Sequence, residues 1–128
     1  MTPGGQTTVV YEVTSNGSAV IERLGPGTPR AMVSVYHDER GRLAMTHYCA
    51  LGNQPKLTLE AASPDTIKLG FAKQNVINPK KEDHMHALEI TFVEPDQVRQ
   101  AWSGYRGGKL EKPTVLMLTR AKEVAPPQ

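Results

Sequence analysis

The chain contains four histidines and one cysteine, and four of these five groups fall in two tight pairs. His47 and Cys49 sit in "THYCALG" (46–52), and His84 and His86 open "HMHALEITF" (84–92). On a strand, side chains two residues apart leave the same face, roughly 6–7 Å apart along the chain. Two such pairs on facing strands would offer His47, Cys49, His84 and His86 as four ligands of the kind zinc takes in tetrahedral sites. A haem needs only one axial group; His47, His84 or His86 would serve, with Met32 and Met45 as further candidates. Cys49 beside a histidine base is the arrangement of a thiol nucleophile. The commoner arrangement is plainer: histidines satisfied by hydrogen bonds inside a partly wet interior, and a strand cysteine packed as a small hydrophobe. No Gly-rich phosphate loop, paired acidic motif or nucleophile elbow is present.

These groups depend on strands to position them. Period-two alternation recurs along the chain, and turn residues interrupt it every eight to twelve positions. Strands are expected at 7–13, 18–24, 30–37, 42–50, 56–61, 65–72, 84–93, 97–105 and 113–120. A helix over 95–103, starting at "PDQVRQAW", is the rival reading there; Gly104 with Trp102 and Tyr105 continues the hairpin rhythm and favours a strand. Successive short strands with no helical crossover make an antiparallel up-and-down meander, and so long a meander tends to curl into a barrel. The fold class is therefore all-β, a barrel of about nine strands. Tight turns ("TSNG", "DERG", "SPD", "EPD") alternate with longer connections ("GPGTP", "GNQP", "KQNVINPKKED", "RGGKLEK"), so the longer loops should gather at one end.

Alternation also assigns faces. His84, His86, Leu88, Ile90 and Phe92 form an apolar series apart from the histidines, as do Leu43, Met45, His47, Cys49 and Leu51; both are expected to face inward. Strand direction places the two pairs at one level near the long-loop end, with Trp102 returning there if Val98, Gln100 and Trp102 form an inner set. Asn53 and Gln54 would stand at the rim. The expectation is a polar-lined pocket over an apolar floor, bounded by His47, Cys49, His84, His86, Trp102, Asn53, Gln54 and Met45.

The bulk properties narrow the function classes. The 128 residues suit one domain over 1–128, with flexible ends at 1–6 and 121–128. An apolar fraction of 38% and a charged fraction of 22% fit a globular protein. Fifteen basic and thirteen acidic residues are scattered, giving a net charge of +2 without the basic stripe expected of a nucleic-acid binder. No apolar run approaches a membrane span, no signal peptide opens the chain, and a lone cysteine makes no internal disulfide; a cytoplasmic setting is expected.

The stretches "SAVIERL", "GTPRAMVSVYH", "LAMTHYCALGNQP", "HMHALEITFV" and "QAWSGYRGGK" resemble uncharacterised bacterial lipocalin-like proteins of the calycin superfamily. The resemblance implies an up-and-down barrel of about ten strands. Calycins mostly bind small hydrophobic molecules, and the related nitrobindins bind haem. Such proteins usually begin with a strand carrying a Trp-x-Gly motif, whereas this chain starts near their second strand. The expectation is a barrel that binds a small, mainly apolar molecule in its lumen, with a metal- or cysteine-dependent enzyme as the alternative. No cofactor is specified; zinc and haem both remain open. The open edge is expected to pair with a second copy, giving a homodimer.

Overall fold

The computed structural model describes residues 7–121, so the expected flexible ends, apart from residue 121, lie outside the described residues. The chain forms β1 (Val9–Thr14), β2 (Ala19–Leu24), β3 (Met32–Glu39), β4 (Arg42–Tyr48), β5 (Lys56–Ala62), β6 (Thr66–Phe71), β7 (His84–Glu94), β8 (Gln97–Arg106), β9 (Lys109–Leu110) and β10 (Thr114–Thr119). All pair antiparallel in one sheet, ordered β1 to β8 and then β10, with the two-residue β9 also on β8. The segment with a rival helical reading is β8. Among the described residues there is no helix, and none is long and apolar enough to cross a membrane.

Local chemistry explains the hairpins. Arg40 and Gly41 both adopt positive φ (55° and 84°) between the paired Glu39 and Arg42, which is the two-residue turn whose twist matches that of its strands. Asp38 Oδ2 accepts the Gly41 amide at 2.9 Å. At Gly70 the exposed Glu60 side chain, on a bulge between Leu59 and Ala61, lies where a Cβ would stand, so a larger residue there would displace it.

The core runs in cross-strand rungs. Tyr36, Met45, Leu57 and Phe71 are successive partners, as are Leu59, Leu69, Leu88 and Trp102. Met45, Leu57, Leu69 and Leu88 are fully buried at the centre of one cluster that also takes in Leu24, Ile90, Trp102 and Leu116. The sheet curls around this cluster into a half-barrel. β1 and β10 stand at its two edges and do not pair with each other, so the cylinder stays open along one seam. This architecture is compatible with a lipocalin-like fold.

Leu69→Ala removes a side chain enclosed on all sides. We expect a loss of about 2–5 kcal/mol in unfolding free energy by urea titration with an unchanged m-value; a loss under about 1 kcal/mol would show that this rung is not the packing centre.

Candidate functional site

One of the fully enclosed polar groups in the interior is a carboxylate. Glu22, on β2, is 0% exposed. Its register partners are Tyr11 on β1 and Ser34 on β3. Tyr11 Oη donates to Glu22 Oε2 at 2.6 Å, and Tyr36 Oη donates to Oε1 at 3.0 Å. The third donor comes from the opposite wall: Gln100 Nε2, on β8, reaches Oε2 at 2.6 Å and the Tyr11 hydroxyl at 2.8 Å. Trp102 Nε1 then donates to Gln100 Oε1 at 2.9 Å. A buried charge is tolerated when its lone pairs are filled in this way. Burial first, and the adjacent Glu22 second, push both the Tyr11 and Tyr36 hydroxyls to higher pKa, so both stay neutral donors.

His47 continues the rung from Ser34, with its Nδ1 2.8 Å from Ser34 Oγ and its ring 4.7 Å from that of Trp102. It is buried as alternation predicts, and burial lowers its pKa to about 4. Met45 and Trp102 are buried in the same core. Cys49 follows β4 and is half-buried. Burial raises its thiol pKa, partly offset by the amides of Leu51 and Ala50, and among the described residues no imidazole hydrogen-bonds to it.

His84 and His86 depart from the simple alternation. Met85 pairs with Gly104 and Ala87 with Ser103, so His86 is an extra residue in β7. A one-residue slip reverses faces. Met85 packs against the core cluster beside the histidines, and His84 is itself fully buried while His86 is half-buried. The imidazoles stack on Tyr105 (His86, 4.0 Å) and Phe71 (His86, 4.8 Å; His84, 4.7 Å). His84 Nδ1 lies 2.7 Å from the Glu82 carbonyl, which can only accept, so Nδ1 carries the proton. In the neutral pair His84 Nε2 then accepts from His86 Nδ1 at 2.9 Å. Burial and the neighbouring His84 lower the His86 pKa, against the pull of Glu60.

The rim residues fasten loops. Asn53 Nδ2 donates to the Asp83 carbonyl at 2.9 Å, and Gln54 Nε2 to the Gly52 carbonyl at 3.3 Å. Asp83 Oδ1 accepts the Gly107 amide at 3.0 Å. The long-loop end is thus laced together.

The open space lies at the other end. A cavity of about 490 Å³ is lined by Val20, Leu43, Ile67, Ile90, Val98 and Leu118, with Phe92, Pro95, Asp96, Thr119 and Arg120 near its mouth and the Tyr11 and Tyr36 rings on its wall. These residues flank the tight turns. No histidine, cysteine or methionine lines the cavity, and the two tyrosine hydroxyls there are hydrogen-bonded to Glu22. Among the described residues, no three His, Cys, Asp or Glu side chains stand close enough to share a metal ion, so the two sequence pairs do not converge as a zinc tetrad.

Sequence reasoning placed Gln100 inward but missed Glu22, Tyr11 and Tyr36. In "SAVIERL" both faces hold two apolar residues and one charge, so alternation alone does not choose between Glu22 and Arg23; the signal was the serine opposite Glu22 in the next strand. No family model, curated protein or solved structure matches this chain.

His47 makes stability depend on pH. Its folded pKa of about 4 lies below the ordinary value of 6.5, so the unfolded chain binds a proton first as pH falls. Stability should therefore be fully present above pH ~6.5 and decline toward pH ~4, by ~3 kcal/mol in all. Denaturant titrations across that range should show the slope flatten in His47→Gln; an unchanged slope would assign it to another group.

Proposed function

We propose that the protein binds a small, mainly apolar molecule in the cavity at the tight-turn end of a lipocalin-like half-barrel. The observation that carries this reading is the cavity itself. Its volume, about 490 Å³, falls in the range of small-molecule sites, and its lining is mainly aliphatic and aromatic, with Asp96, Thr119 and Arg120 as the polar residues besides the two tyrosines. The preformed sheet supports the reading, because a site on paired strands needs little ordering when a ligand arrives. The half-buried thiol and the stacked imidazoles lie away from this space, which favours binding over catalysis by those groups.

N-phenylnaphthylamine, a neutral dye that fluoresces in apolar surroundings, should bind with micromolar affinity. Val98→Trp, which fills the cavity, should weaken it at least tenfold, while His86→Ala should leave it unchanged. Loss of binding in His86→Ala with none in Val98→Trp would move the site to the histidine end.

The seam supports a second proposal, a homodimer through paired edges. Among the described residues β1 and β10 each lack an outer partner, and residues 114–119 carry no charge. Light scattering at micromolar concentration should give about twice the 14.0 kDa chain mass; the monomer mass would refute the pairing.

A further inference from the structure

The polar network that meets the cavity through Tyr11 and Tyr36 has a definite sense. Both hydrogens of the Gln100 amide are committed, one to Glu22 and one to the Tyr11 hydroxyl. The Tyr11 and Tyr36 hydroxyl hydrogens are committed to Glu22, and Gln100 Oε1 is taken by Trp102. Every donor here is spent inside the network, three of them on one carboxylate. What remains is acceptor capacity alone; of the groups lining the cavity, Tyr36 Oη accepts from none of these partners and has the Glu22 carboxylate 3.0 Å behind it.

That charge has no cation beside it. Among the described residues no Lys, Arg or His forms an ion pair with Glu22: Arg23 pairs with Glu12 at 2.7 Å, and Arg120 at the mouth pairs with Asp96 at 2.8 Å. The other titratable groups sharing this interior are Tyr11, Tyr36 and His47; the phenols are neutral at pH 7 in any case and burial raises their pKa further, while burial lowers that of His47 to about 4. The Tyr11, Tyr36 and Phe92 rings also offer faces that attract a cation.

We infer that the cavity selects apolar molecules bearing a protonated amine over those bearing a carboxylate, the amine donating to Tyr36 Oη in the field of Glu22. The inference rests on the cavity reading above and specifies its ligand class. A carboxylate head would meet an acceptor and a like charge; a hydroxyl head would find a hydrogen-bond acceptor but gain nothing from the charge.

Calorimetric titration at pH 7.5 with decylamine, decanol and decanoate, each below its aggregation threshold, tests this. Decylamine should bind at least tenfold more tightly than decanoate, with decanol between. Decanoate binding as well as the amine, or better, would overturn the inference and leave the cavity reading standing. Binding of none of the three would overturn both. In Glu22→Gln, checked for folding by circular dichroism, the amine-to-acid ratio should fall to near one; a full tenfold preference in that variant would refute the role of Glu22. If Glu22→Gln does not fold, Tyr36→Phe supplies the comparison. It keeps the carboxylate and removes the lone pair, and should weaken decylamine at least threefold; unchanged amine affinity there would overturn the assignment.

Discussion

A carboxylate with no counter-ion inside an open sheet sets the terms for everything around it. Glu22 takes donors from β1, β3 and β8, and the β8 donor, Gln100, is 78 residues away in sequence. Burying a charge unpaired costs far more than a single hydrogen bond returns, so these donors must be held in place together. The half-barrel is curled to the degree that lets β8 face β2, and the contact spans the interior where no ladder joins β1 to β10. In this molecule a polar tie does across the lumen what a closing strand pair does in a sealed barrel.

The two ends differ because of what fills them. Met45, Trp102 and His47 occupy the long-loop half, whereas valines and other branched aliphatics line the tight-turn half and leave it hollow. The bulge at His86 sharpens the contrast. It turns Met85 toward the core and gathers both imidazoles with Phe71 and Tyr105, so polar groups that might have lined a pocket become part of an aromatic stack.

Much of this was legible in the sequence, for identifiable reasons. The strand order follows from period-two runs broken by turn residues, and the inward position of His47, Met45 and Trp102 follows from the apolar series that contain them. The gathering of the long loops shows in the bonds from Asn53 and Gly107 to Asp83. Three features were not legible. The His86 bulge adds one residue without changing composition, and one residue is enough to invert a face. Glu22 sits in a strand whose two faces are equally apolar. Which half of the lumen is hollow depends on side-chain volumes meeting across strands far apart in sequence, and periodicity does not report volume.

Asp83 joins the loop after β4 to the hairpin after β8 through two bonds, one on its carbonyl and one on its side chain. The long-loop end therefore opens only when both are released, while the tight-turn end has its mouth already exposed. Traffic of the proposed ligand would be one-ended. For the ligand proposed above, residence time would then be governed by the width of that mouth, and changes in the long loops would alter the thermal endurance of the sheet more than the exchange of the lumen's contents.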